Sequence, residues 1–158
     1  MNQFIVLEKE NMPISDGYRL VKNWVNVFYN TPREVIKGDI ENEYVRVEGV
    51  VTNLCQMDGK FIMLSNICTD MTYSLSFAFK DNKIKMQLTR LRTRANTTYV
   101  FGNDNSITDY NWYDAQPYFG ATINPKTGET DERISTQQNL IIGELNILGY
   151  SVKDYLEN

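Results

Sequence analysis

Apolar residues in the first third of the chain recur at helical spacing, and from Tyr44 the spacing contracts to two. Leu20, Val21, Trp24, Val25, Val27 and Phe28 follow the rhythm of an amphipathic helix, with Lys22, Asn23 and Asn26 on the opposite side. Ser15 or Asp16 offers a side-chain oxygen to cap its start, and Asn30 closes it. Thr31–Pro32 restarts a turn or two, because Thr caps well and Pro is tolerated at the first helical position. Before the helix, residues 1–14 read as a short extended arm ending at Pro13.

Beyond Tyr44, Val45, Val47 and Val51 alternate with Tyr44, Arg46, Glu48 and Val50, and Gly49 marks a place where a barrel strand bends. Asp58–Gly59 is a hairpin signal that leads into a second strand over 60–65. After a loop over 66–72, Tyr73, Leu75, Phe77 and Phe79 share one face of a third strand, with Ser74, Ser76, Ala78 and Lys80 on the other. The segment that follows fits two periods. Lys83, Lys85 and Gln87 alternate with Ile84, Met86 and Leu88, as in a strand. However, Ile84, Leu88, Leu91 and Ala95 keep helical spacing beyond the point where the alternation breaks, so a short helix over 82–92, capped by Asp81, is expected. Strands are expected over 97–102 and 118–123, separated by a long polar loop, with a turn over 124–128. The apolar stretch over 140–156 reads mostly as helix, although an Ile-rich run also suits a strand.

The order of these elements is that of an OB barrel, with its helix between the third and fourth strands. The text also resembles the tRNA-anticodon-binding-like OB family. "YVRVEGVVTNL" is similar to its first strand, "DGKFIMLSN" to its second, "YSLSFAFKD" to its third, "IKMQLTRL" to the inter-strand helix and "TTYVFG" to the fourth strand ending in glycine. The resemblance covers about residues 44–123 plus the preceding helix, and its motifs carry no functional residues across. The expected architecture is mainly β with flanking helices in a single domain over 1–158. Residues 15–40 form an N-terminal amphipathic helical segment, 44–123 a five-stranded OB-type β-barrel with a helix between strands 3 and 4, and 124–158 a C-terminal helical extension.

Composition narrows the chemistry. At 158 residues, 42% hydrophobic and 23% charged, the chain is long enough for one core without metal or disulfide staples. It has no histidine, which removes the side chain best suited to proton transfer near neutral pH and with it triads and His-zinc hydrolases. Cys55 and Cys68 have no zinc-site spacing and read as reduced, buried thiols of a cytoplasmic protein, a cross-strand disulfide being the minority alternative. No apolar run is long enough to span a membrane, and the first residues lack the basic region of a signal peptide. Frequent Asn, Lys, Ile and Tyr fit an AT-rich genome such as that of a low-GC bacterium or its phage.

Charge is unevenly placed. Six cations, Lys80, Lys83, Lys85, Arg90, Arg92 and Arg94, oppose only Asp81, so this short segment carries +5 in a chain of net −4. Such a cluster suits a phosphate backbone, an acidic protein surface or plain solvation. The loop with Tyr110, Trp112, Tyr113 and, at its end, Tyr118 offers rings that stack bases, fill a protein interface or pack back on the barrel. The small polar face of the third strand lacks the aromatic platforms of an oligonucleotide-binding barrel, and Glu129, Asp131 and Glu132 read as solvated. The leading expectation is a non-enzymatic OB protein that binds single-stranded nucleic acid in a phage or mobile-element setting. The main competitor is a protein-interaction module, inhibitor or assembly subunit, docking on an acidic-surfaced partner; a carboxylate-dependent enzyme is a third class. No cofactor, metal or membrane partner is expected, and the oligomeric state is left open.

Overall fold

Residues that alternate between buried and exposed over long stretches build strands, and here they build three of unusual length. The structure, a computed structural model, describes residues 4–56, 65–95, 98–99, 111–115 and 132–157. In chain order the elements are β1 (Phe4–Glu8), α1 (Ile14–Phe28), α2 (Pro32–Val35), β2 (Ile36–Ile40), β3 (Tyr44–Gln56), β4 (Ser65–Lys80), β5 (Lys83–Ala95), β6 (Thr98–Tyr99), β7 (Tyr113–Asp114) and α3 (Glu132–Glu157). The sheet runs β1-β5-β4-β3-β2, with β6 added on β4 and β7 on β5. The expected class, mainly β with flanking helices, is right, but the sheet is antiparallel and open, with β1 and β2 as its edges.

Two expectations fall here. The OB barrel is not formed, because the path ends on two edge strands instead of closing. The helix between strands over 82–92 is absent, because that segment is β5. Its residues explain the ambiguity. Ile84 and Met86 are buried and Lys83 and Lys85 exposed, as strand alternation requires, but the next fully buried residue is Leu91. The buried face changes phase between them, and that phase shift imitates helical spacing. The loop expected over 66–72 belongs to β4, and the segment after Pro32 supplies the unforeseen β2. The hairpin at Asp58–Gly59, the strand over 118–123 and the turn over 124–128 lie outside the described residues.

The chain divides into two compact units: Met1–Gly49 with Tyr73–Arg90 and Asn146–Asn158, and Val50–Thr72 with Leu91–Leu145. The first unit is held by an apolar core. On α1, Val21, Trp24 and Val25 of the expected stripe are buried together with Gly17, whereas Val27 and Phe28, expected on the same face, are exposed. Trp24 packs on Phe77 of β4 and on Phe28 and Tyr29, Tyr18 meets Phe79 edge-on, and Gly17 lies against Ile84. The helix starts after Pro13 with no side-chain cap, so neither Ser15 nor Asp16 plays the expected part; Asp16 pairs with Arg19 instead. Gly49 has a different use from bending a barrel. A Cβ there would overlap the ring and hydroxyl of Tyr73, whose hydroxyl is hydrogen-bonded to that of Tyr29 at 2.8 Å. The β4–β5 hairpin turns at Asp81–Asn82, and Asn82, at φ 63°, ties down the arm before α1. Its amide donates to Met12 O, its side-chain oxygen accepts from Met12 N, and its carbonyl accepts from Lys9 N.

The second unit also buries apolar residues, Leu54, Met71, Leu91, Ala115 and Ile141, and adds two further ties. Cys55 of β3 and Cys68 of β4 form a disulfide, which corrects the expectation of two reduced thiols. Beside it, Asp70 is 1% exposed and is received by a charge and a backbone amide instead of an apolar shell.

Candidate interaction surface

The structure separates the sequence-predicted binding residues into two groups. Arg92, Arg94, Trp112 and Tyr113 come together in the second unit, where β7 pairs with the end of β5 in the register Arg92–Asp114 and Thr93–Tyr113. Arg94 donates from Nε and Nη2 to Asp70 Oδ2, both at 2.8 Å, while the Asn53 amide donates to Asp70 Oδ1 at 3.0 Å. The guanidinium also lies over the Trp112 ring, 4.8 Å from its centre. Arg92 donates to the Trp112 carbonyl at 3.1 Å and stands 3.8 Å from Asp114. Basic segment and aromatic loop therefore do meet, but as partners of each other. A carboxylate buried like Asp70 needs a counter-charge and hydrogen bonds to stay ionised, and Arg94 supplies both. Cations spent in this way are poor candidates for phosphate. Tyr113 remains exposed, and Tyr110 and Tyr118 lie outside the described residues.

Lys80, Lys83 and Lys85 belong to the first unit and share a face. There, α1 and α3 lie on one side of the sheet: Gly17 of α1 sits against Ile84, and Gly149 of α3 sits near Ile5 and Met86. Strand alternation puts Phe4, Val6 and Glu8 of β1 on the other side, with Lys83 and Lys85 of β5, Ala78 and Lys80 of β4, and Arg46 and Glu48 of β3. Among the described residues nothing is laid over Phe4, Val6, Ala78 or the three lysines, which are all exposed. Lys83 pairs with Glu8 at 2.7 Å, Arg46 lies 3.9 Å from Glu48, and the Lys85 ammonium sits 4.9 Å from the centre of the Phe4 ring. Lys80 and Arg90 are exposed and form no ion pair among the described residues. The apolar part of this face comes from β1. Its only trace in the sequence is the run Phe4–Ile5–Val6–Leu7 in a segment that local periodicity leaves as an arm.

The shifted titrating groups lie in packing contacts between α1 and the sheet. Burial opposes ionisation of Asp39 on β2, but hydrogen bonds from Lys22 and Tyr18 of α1 overcome it and hold the carboxyl below its ordinary range. The bond to Asp39 pushes the Tyr18 hydroxyl up to about 12, helped by burial and the nearby carboxylates. Burial raises Tyr29 as well, with Tyr73 beside it. These contacts fasten α1 to β2 and β4 on the covered side of the sheet. Among the described residues no group of three or more potential ligands could hold a metal ion, and no helix is long and apolar enough to cross a membrane.

No family model and no curated protein matches the chain. Among solved structures, it is similar in fold to a DUF4468 family protein from Bacteroides ovatus ATCC 8483, with a TM-score of 0.70 and 12% identity over 98% of this chain and 84% of that one. It is also similar to a TBP-like protein from Parabacteroides distasonis ATCC 8503, with a TM-score of 0.67 and 16% identity over 99% of this chain and 92% of that one. At such identities the likeness is one of fold alone. It overturns the resemblance to the tRNA-anticodon-binding-like OB family, and with it the barrel that the resemblance implied. The chain shares the open antiparallel sheet of these two proteins.

Proposed function

We propose that this chain is a non-enzymatic interaction module that docks an acidic-surfaced partner protein on the sheet face of its first unit that lies opposite α1 and α3. The observation that carries the reading is the make-up of that face: exposed Phe4, Val6 and Ala78 beside exposed Lys80, Lys83 and Lys85. Apolar contact with flanking cations suits a protein surface that offers both apolar side chains and carboxylates. It suits a bare phosphate backbone less well, because Glu8 and Glu48 stand among the cations and the second unit spends Arg92 and Arg94 on aspartates. The missing histidine and the structural use of the shifted groups support a binding role over a catalytic one.

Fluorescence polarisation of the full chain tests this with two labelled probes, an extended peptide of alternating Glu and Leu and a single-stranded oligonucleotide of equal charge. The peptide binds at low salt, about 50 mM, and its affinity falls at least about tenfold when Lys80 and Lys85 are both changed to Glu. Tighter binding of the oligonucleotide, or no binding of the peptide, sinks the proposal.

A further inference from the structure

The edge strand β1 is short, but it has neither proline nor a bulge, and its middle is an exposed apolar run. Native edges are blunted by charge, proline, bulges or brevity, because their unpaired amides and carbonyls invite another strand. Among the described residues β1 pairs only with β5, and Phe4, Ile5 and Val6 are 54%, 45% and 43% exposed. These three consecutive residues point to alternating faces, so the exposure belongs to the edge itself and not to one side of the sheet. A second observation lies on α3, which passes close to this edge. Gly149 of α3 is close to Ile5, and the same stretch of α3 exposes Ile147 and Tyr150 at 59% and 65%. Edge and helix thus present apolar surface together.

We propose that two copies of this chain join through β1, antiparallel about a two-fold axis at Val6, into one continuous sheet. The sequence of the strand is self-complementary in that register. Val6 faces Val6 of the second copy, Ile5 faces Leu7, and Phe4 faces Glu8. Apolar side chains meet in the middle and no like charges stand opposite each other. At either end the incoming Glu8 carboxylate arrives beside the Phe4 ring, over which Lys85 already holds its ammonium, so each end brings opposite charges together. Main-chain hydrogen bonds give the affinity, and Ile147 and Tyr150 extend the contact on the helical side.

Sedimentation velocity of the full chain, from about 1 to 100 µM, reads the outcome directly. The wild type sediments at twice the 18.4 kDa chain mass in the upper part of that range. Val6→Lys places two ammonium groups opposite each other and raises the dimer Kd at least about tenfold. An equimolar mixture of Val6→Lys and Val6→Glu chains restores a mixed dimer, which also shows that the lysine variant is folded. A wild type that stays monomeric throughout, a Val6→Lys chain that dimerises as the wild type does, or a mixture that stays monomeric each overturns the proposal. The inference is independent of partner docking. A monomeric wild type that still binds the Glu-Leu peptide defeats only the dimer, and a dimer that ignores the peptide defeats only the docking.

Discussion

The two units both bury apolar residues of β3, β4 and β5, and they differ in what is added to that burial. The first uses apolar burial: Trp24, Val21 and Val25 of α1 against Phe77 and its neighbours on β4, with Val45 and Val47 of β3 fully buried. The second adds a covalent link, Cys55–Cys68, and a buried ion pair, Asp70–Arg94, capped by Trp112. Apolar burial is cumulative and tolerates small losses. A buried carboxylate is all or nothing, because desolvation penalises it as soon as its partner is gone. The contrast also explains why the predicted binding residues part company. Of these cations, Arg92 and Arg94 of the second unit answer aspartates, whereas Lys80 and Arg90 of the first form no ion pair among the described residues.

Removal of the central ring of the apolar unit should have the largest effect. Trp24→Ala is expected to cost about 4 kcal/mol, read as a shift of the urea midpoint, because a fully packed indole leaves a cavity. Reduction of Cys55–Cys68 comes next, at about 3 kcal/mol for a loop of this length. It should also separate the units: amide exchange by mass spectrometry rises over 50–56 and 65–72 and stays unchanged over 44–49 and 73–80. Equal rises in both would erase the contrast drawn here. Arg94→Met strands the Asp70 carboxylate and should cost about 2 kcal/mol, below the usual range for a fully buried pair because Arg94 is itself partly exposed. Part of that loss should return in the Asp70→Leu, Arg94→Met double variant.

The smallest effect concerns the polar contact of the apolar unit. The folded carboxyl of Asp39 titrates below its unfolded value, so its contribution is complete above the unfolded carboxylate pKa and is lost as pH falls through the folded one. Asp39→Asn should therefore flatten the acid limb of stability against pH. The change should amount to less than about 1 kcal/mol, because Lys22 and Asp39 are partly solvated. An acid limb as steep as that of the wild type would place the acid sensitivity outside this contact.

Local period carried some elements and misled on others. The stripe of α1 and the alternation of Tyr73, Leu75, Phe77 and Phe79 are legible because one partner surface buries one face throughout. In β5 the buried face changes phase between Met86 and Leu91, so neither period holds over the whole strand. β1 is short and exposed on both faces, and nothing in its own residues says whether it finds β5. The disulfide was undecidable for a similar reason. Thirteen residues of separation allow the two sulfurs to meet without requiring it, and only the pairing of β3 with β4 brings them together.

By itself the sequence determined a mainly β chain with flanking helices, the aromatic core face of β4, and a basic segment on an acidic chain. It also determined the lack of imidazole chemistry. These are properties of composition and short-range spacing, which no packing can alter. The tertiary structure decided that the sheet stays open, that Arg92 and Arg94 answer aspartates, and that Lys85 lies beside Val6 and the Phe4 ring while Lys83 lies beside Glu8. Each of these depends on which strand lies next to which. Strand pairing is a long-range choice, made by burial of whole faces and by charges that meet only after the chain has folded.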